Sequence, residues 1–241
     1  MNTKIQKLNR FIDEARCIVF FGGAGVSTES GIPDFRSVGG LYSQKFKYPP
    51  EYMLSHTFFV EHTDEFFEFY RSKLVPPENV KPNAAHIYLA ELEKCGKLAA
   101  LITQNIDGLH QAAGSINVLE LHGSVWRNYC MACGRFYATD SHKSDIPRCS
   151  CGGIAKPDVV LYGENLNTEV VKKAAGFISK ADLMIIGGTS LNVYPAAGLI
   201  QYFKGSRLVI INTSPTQYDS KADLLITDSI EKVFGRLGGN I

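Results

Sequence analysis

The chain has almost no net charge: 25 Lys and Arg stand against 24 Asp and Glu in 241 residues. It therefore offers no overall basic field to hold a nucleic acid or an acidic membrane surface. Long apolar runs are equally scarce. The longest are like residues 17–21, far short of the ~18 residues of a membrane span. The opening residues, MNTKIQKLNR, lack the apolar stretch of a secretory signal. Internal repeats and low-complexity linkers are also missing. These absences predict a cytoplasmic protein with no membrane anchor and no direct nucleic-acid partner.

What is present is a globular composition, 45% hydrophobic and 20% charged. At about 150 residues per domain, the length suggests one large domain or one domain with an inserted module. Ile5, Leu8, Ile12 and Ala15 recur at helical spacing, which predicts a helix over 4–15. The run 17–21, closed by Gly22-Gly23, predicts a strand buried on both faces of a parallel sheet. Similar runs at 98–102, 118–121, 183–186, 208–211 and 224–226 are interleaved with helix-like stretches at 84–95, 168–179 and 195–203. That interleaving predicts an α/β fold with a doubly wound parallel sheet. Two segments break it: 37–80, aromatic and proline-punctuated with a helix-like 63–74, and 124–158. Both are expected to fold back together as a smaller lobe, with a ligand site between the lobes.

Four of the six cysteines fall in the second of these segments. Cys130 and Cys133 are followed, fifteen residues on, by Cys149 and Cys151. Paired thiols at this spacing predict a tetrahedral four-cysteine zinc site, although the second pair is C-x-C rather than C-x-x-C. With sulfur in all four positions no place remains for water, so the zinc would be structural. Arg127, Arg135, Lys143, Arg148 and Lys156 partly offset the charge of such a centre. Cys17 and Cys95 read as plain core residues.

Polar motifs cluster after the predicted strands, where the loops of an α/β sheet line its ligand crevice. Gly22-Gly23-Ala24-Gly25-Val26-Ser27 would bring backbone N–H groups to a pyrophosphate, or serve only as a tight turn. Position 28 is Thr where a third glycine is usual, and no acid ends a second strand about 20 residues later; both features argue against a hydride-transfer dehydrogenase. In Ser30-Gly31-Ile32-Pro33-Asp34-Phe35-Arg36, Phe35 offers an apolar face and Arg36 a phosphate partner, or the pair is a buried ring and a surface ion pair. Gln104, Asn105 and Asp107 offer amide and carboxylate groups, and Asn105 or Asp107 would equally cap a helix. Thr189-Ser190 and Asn212 are ligand contacts or caps on the same reasoning. Among His56, His62, His86, His110, His122 and His142, only His122 stands between a strand end and a glycine, which makes it the candidate general base.

Together these residues resemble the sirtuin family of NAD-dependent protein-lysine deacylases. The match runs from about Ile12 to the C-terminus, through 23–36, 103–110, His122-Gly123, the four cysteines, 156–164 and 188–197. The resemblance implies a single catalytic domain. A large Rossmann-like lobe would comprise approximately 1–36, 84–123 and 159–241, and a small helical and zinc-ribbon lobe 37–83 and 124–158. It implies NAD bound by Ala24, Thr28, Phe35, Arg36, Gln104, Thr189, Ser190 and Asn212, with a further contact near Ile230. Nicotinamide would lie by Phe35, Ile106 and Asp107. Asn105 would position ribose and a water, and His122 would take a ribose hydroxyl proton. An acetylated protein or peptide would pair as a strand between 160–164 (Val160, Tyr162, Gly163, Glu164) and 192–194 (Asn192, Val193). The implied products are free lysine, nicotinamide and O-acetyl-ADP-ribose. An alternative use of the same site is ADP-ribosyl transfer to protein. In the family a Tyr-x-x-Arg pair marks a taste for succinyl or malonyl lysine; here Tyr70 is followed by Lys73, which lacks the planar fork, so acetyl is the expected acyl group.

Overall fold

Apolar runs stopped by glycine or polar residues become strands covered on both sides. In the computed structural model, which describes residues 2–138 and 146–237, the first half of the chain holds α1 (Asn2–Glu14), β1 (Ile18–Gly22), α2 (Pro50–Met53), α3 (His56–Glu61), α4 (Thr63–Lys73), α5 (Ala84–Lys94), β2 (Leu98–Thr103), α6 (Leu109–Ala112) and β3 (Val118–Glu120). There follow β4 (Gly123–Cys130), β5 (Phe136–Ala138), β6 (Ala155–Val159), α7 (Thr168–Lys180), β7 (Leu183–Gly187), β8 (Arg207–Ile211), β9 (Leu224–Ile226) and α8 (Ile230–Gly235). His142 and Lys143 lie outside the described residues. The stretch expected as a helix over 195–203 forms a 3-10 segment, Ala196–Tyr202. Apolar spacing over seven residues does not separate a period of 3.6 from one of 3.0.

Six strands form one sheet in the order β3-β2-β1-β7-β8-β9, and every neighbouring pair is parallel. Counting only these strands, the order is 3-2-1-4-5-6, the doubly wound order of dinucleotide-binding sheets. The winding reverses between β1 and β7. Loops leaving the C-terminal ends of those two strands diverge there and open a crevice.

Strand residues alternate between two cores. Ile18, Phe20, Leu183 and Ile185 join α1, α5 and α8 on one face; Val19, Phe21, Met184 and Ile186 join α7 and the 3-10 segment on the other. A strand buried on both faces has no polar side, which is why 17–21 and 183–186 read as unbroken apolar runs. The end of α1 carries no basic residue, and Lys97 serves it instead: its Nζ donates to the carbonyls of Ile12, Asp13 and Ala15 at 3.2, 2.6 and 3.1 Å.

The second sheet is antiparallel, ordered β5-β4-β6. Its Val125 and Val159, with Leu161, pack under an aromatic cluster from α3 and α4 that includes Phe58, Phe59, Phe66, Phe67, Phe69 and Tyr70. Among the described residues, no helix is long and apolar enough to cross a membrane.

Candidate active site at the switch point

The glycine turn after β1 and the loop after β7 are drawn together by two bonds, Gly23 N–H to Gly187 O at 3.3 Å and Gly25 N–H to Gly188 O at 2.8 Å. A Cβ on Gly25 would lie 2.8 Å from Gly188 Cα, so this approach needs glycine. The backbone N–H groups of Ala24, Thr189 and Ser190 donate to no protein acceptor among the described residues. Three donors thus stand free at the switch point, a fit for the oxygens of a dinucleotide. Gln104 spans the same edge: its N–H donates to Gly22 O at 3.0 Å and its Nε2 to Thr189 Oγ1 at 3.0 Å. Thr28 Oγ1 donates to Gly25 O at 3.1 Å. Half-buried Asn212 follows β8 and donates through Nδ2 to Ser214 O at 2.7 Å. Ile230 is 2% exposed, with its Cδ1 beneath Gly187; its side chain belongs to the core.

Behind the turn lies a buried polar cluster. Ser27 Oγ donates to Asp107 Oδ2 at 2.7 Å and accepts from Asn105 Nδ2 at 3.0 Å. His86 Nε2 approaches the same oxygen at 3.4 Å. His86 Nδ1 in turn meets the Asn83 N–H at 3.2 Å and Asn83 Oδ1 at 3.1 Å. Ser27 therefore accepts from the amide, and its one proton is committed to Asp107. Asp107 Oδ1 accepts from Leu109 N–H, the first of α6, at 2.9 Å. Burial pushes the Asp107 carboxyl above its ordinary range, against the pull of Leu109 and Ser27. Burial drives His86 down to about 4. His110 is buried beside His86, with its rings 4.7 Å apart, and its pKa is held well below 6.5 by burial and then by that neighbour. Ser27 and His86 were given no role by sequence reasoning. The first lay unremarked inside the glycine motif, and the second follows no strand.

The loop bearing Asn105 and Asp107 is pinned from the second sheet. Val125 N–H donates to Ile106 O at 3.0 Å, and the indole of Trp126 donates to Asp107 O at 2.8 Å. Gly108 sits at φ 76 with its missing Cβ 2.7 Å from the indole nitrogen, so no larger residue fits under Trp126.

His122 follows β3 at the same edge. Its Nδ1 lies 3.0 Å from Gln104 O. A carbonyl only accepts, so Nδ1 carries the proton and Nε2 keeps its lone pair. Burial lowers the His122 pKa, although the bond to Gln104 opposes this, so the neutral ring prevails near neutrality.

Phe35 is half-buried and meets Tyr42 edge-on at 5.7 Å between centroids. Exposed Arg36 lies 5.4 Å from the Tyr42 ring centroid and makes no ion pair among the described residues. The segment beyond β6 runs outward from His122, whose carbonyl accepts from Val160 N–H at 3.0 Å. Tyr162 N–H donates to Leu54 O and Tyr162 O accepts from His56 N–H, both at 2.9 Å. Glu164 pairs with His56 at 2.8 Å and Lys156 at 3.0 Å. Burial would raise its pKa, but Leu161 N–H, His56 and Lys156 together hold it below the usual range. On the facing side Leu191 takes φ 57, a left-handed conformation tied by its N–H to Thr189 Oγ1 at 3.3 Å, and exposed Asn192 and half-buried Val193 follow.

The four cysteines converge as their spacing predicts. Their sulfurs lie within 4.8 Å of one another, with Cys130 to Cys151 at 3.5 Å and Cys133 to Cys149 at 3.6 Å. A tetrahedron with zinc–sulfur bonds of about 2.3 Å has edges of about 3.8 Å, so the donor set fits structural zinc. The C-x-C pair reaches this geometry through a tight return: Cys149 N–H donates to Gly153 O at 2.8 Å, and a Cβ on Gly153 would strike Cys130 Sγ at 2.7 Å. The Cys151 N–H and then the Tyr137 hydroxyl pull the Cys149 thiol below its ordinary range, while the neighbouring sulfurs push Cys151 above its own.

Comparison with known proteins agrees with this geometry. Residues 23–195 match the sequence profile of the Sir2 family. An NAD-dependent protein deacetylase of Clostridium acetobutylicum is 60% identical over 236 residues, covering 95% of this chain and 96% of its own. One from Clostridium perfringens is 60% identical over 243 residues, covering 98% and 99%. A histidine-to-alanine variant of a Sir2, solved with a deacetylated p53 peptide and 3'-O-acetyl ADP ribose, superposes with a TM-score of 0.90 at 39% identity over 98% of this chain and 97% of that one.

Proposed function

The chain belongs to the Sir2 family and is an NAD-dependent protein deacetylase, and from that premise we propose the part each residue of the crevice takes. When bound, NAD supplies an ADP-ribosyl group with nicotinamide as its leaving group and is consumed. Ala24, Thr28, Arg36, Gln104, Thr189, Ser190, Asn212 and the backbone near Ile230 hold the dinucleotide. The free N–H groups of Ala24, Thr189 and Ser190 support this reading. Nicotinamide lies by Phe35, Ile106 and Asp107. Each Asp107 oxygen takes one donor from the chain and keeps a lone pair for the carboxamide N–H groups. Phe35 excludes water from the reacting carbon. Asn105 spends its amide N–H on Ser27, which leaves its carbonyl oxygen to accept from a ribose hydroxyl or a water.

His122 is the general base, and the observation that carries this assignment is its bond to Gln104: with the proton fixed on Nδ1, Nε2 is the atom that receives a ribose hydroxyl proton. The acetylated peptide adds as a strand between 160–164 and 192–194. Gly163, Asn192 and Val193 have backbone N–H groups with no protein acceptor among the described residues, which supports that pairing. Because main-chain bonds dominate such pairing, preference among peptide sequences is modest. The zinc ribbon and the helices of 37–83 act as one small lobe against the sheet, a division supported by the shared aromatic cluster. Free thiols at a zinc site suit a reducing cytoplasm. Mass spectrometry of an acetyl-lysine peptide incubated with protein and NAD tests the reading. Loss of acetyl with release of O-acetyl-ADP-ribose is expected, whereas an ADP-ribosylated peptide would assign the site to protein ADP-ribosyl transfer.

A further inference from the structure

The proposed cofactor loop and the proposed peptide segment touch through two phenols. The hydroxyls of Tyr42 and Tyr162 lie 2.7 Å apart across 120 residues of chain. Among the described residues this is the one side-chain hydrogen bond between residues 34–43 and 160–164. Each phenol is fixed at its own end. Tyr42 N–H donates to Phe35 O and Leu41 N–H to Asp34 O, both at 2.9 Å, while Asp34 Oδ1 accepts from the N–H groups of Arg36 and Ser37 at 3.1 and 2.8 Å. Gly40 completes this turn, since a Cβ there would meet Asp34 Oδ1 at 2.7 Å. The Tyr42 ring bears on both Phe35 and Arg36. At the other end both backbone groups of Tyr162 are tied, to Leu54 after α2 and to His56 at the start of α3. Burial and then the bond to Tyr162 push the Tyr42 hydroxyl above its ordinary range, so it stays protonated and able to donate.

We propose that Tyr42 and Tyr162 are a positioning pair: their hydroxyl contact holds the cofactor loop against the peptide segment and makes dinucleotide and acetyl-lysine peptide bind cooperatively. The inference rests on the placement of both ligands given above. A ligand that settles Phe35 and Arg36 settles Tyr42, and through one hydrogen bond it settles the segment that pairs with peptide. Linkage makes the effect reciprocal. Neither hydroxyl touches a reacting atom, so the pair acts on binding rather than on the chemical step.

The test uses ADP-ribose, which cannot react, as the dinucleotide probe. Its dissociation constant is measured by calorimetry with and without a saturating acetyl-lysine peptide, in wild type, Tyr42→Phe, Tyr162→Phe and the double variant. Wild type should bind ADP-ribose more tightly with peptide present. Each single variant should cut that coupling factor about fivefold, the worth of a typical hydrogen bond, and the double variant should lose no more than either single one. For Tyr42→Phe, whose side chain has no part in the site assigned above, steady-state turnover should show a raised KM with kcat nearly unchanged. A wild-type coupling factor of one, wild-type coupling in either single variant, or additive losses in the double variant would overturn the pair while leaving the site assignment intact. Failure of wild type to bind ADP-ribose or peptide at all would overturn the site assignment, and the pair with it.

Discussion

The two sheets reach order by different means. In the parallel sheet every residue of β1 and β7 is buried, and two separate cores clamp its faces. The antiparallel sheet has little of its own to bury. It contributes Val125 and Val159 to a shared cluster and leaves Tyr129 and Phe136 on β4 and β5, with Met131 just beyond, 41%, 50% and 52% exposed. What closes it is a set of four sulfurs within 4.8 Å. Burial of apolar surface stabilises the parallel sheet by itself, whereas a small ribbon draws its folding free energy from metal binding. Yet the ribbon carries Val125 and Trp126, which pin the loop of Ile106 and Asp107. The candidate catalytic edge is therefore built on the sturdy sheet and aligned by the fragile one.

The sharpest way to break this comparison is to remove the metal. Structural zinc sites contribute on the order of 10–16 kcal/mol at neutral pH, so a strong chelator or Cys149→Ser should release about one zinc per chain and abolish turnover. Metal analysis alongside an activity assay decides the matter, and a metal-free preparation with full activity would refute the division. His122→Ala is the complementary change, a loss of chemistry without a loss of architecture. Turnover should fall about 10²–10⁴-fold while zinc content and ADP-ribose affinity stay near wild type. In the wild type the rate should also fall as pH drops through a His122 pKa that burial sets below 6.5. A variant that turns over normally would remove His122 from the mechanism, and one that loses zinc would make it structural.

A smaller effect separates the sheets by acid. Below pH 6.5 the unfolded chain takes up a proton at His86 that the folded chain refuses until about pH 4. Stability is thus lost as pH falls through that window, by about 3 kcal/mol for some 2.5 units at 1.36 kcal/mol each. His110 acts in the same direction, while Asp107, raised by burial, acts against it. Urea unfolding at pH 7 and pH 5 should show the loss, and His86→Gln should flatten it; equal slopes in both proteins would remove His86 as its source. The smallest expected effect concerns acyl choice. Lys73 donates to Gln44 Oε1 at 3.1 Å, and the buried Tyr70 hydroxyl has no partner among the described residues. Acetyl-lysine should exceed succinyl-lysine in kcat/KM, and Lys73→Arg should raise the succinyl value by at most about tenfold, the scale of one charge-assisted hydrogen bond. A wild-type preference for succinyl would contradict this reading.

Much of this is legible in the sequence. Runs such as 17–21 and 183–186 announce buried parallel strands because they lack a polar side, and the C-x-x-C and C-x-C pairs announce a metal because thiols so spaced have few other uses in a reducing compartment. The strand order and the switch point were not legible, since neither leaves a local pattern. The same holds for Ser27 with His86, 59 residues apart in sequence, and for Tyr42 with Tyr162. Such contacts are made by folding alone, and their residues look ordinary in sequence. His86 also disguised itself as part of a helix start, where it completes a cap with Asn83.

Trp126 is the only tryptophan in the chain, and its indole N–H rests on the carbonyl of Asp107. The molecule thus carries one intrinsic long-wavelength fluorophore, on β4 against the loop proposed to receive nicotinamide, and 40% open to solvent. With no second indole to dilute the signal, any shift in its emission reads the state of that loop directly, without a label and without turnover.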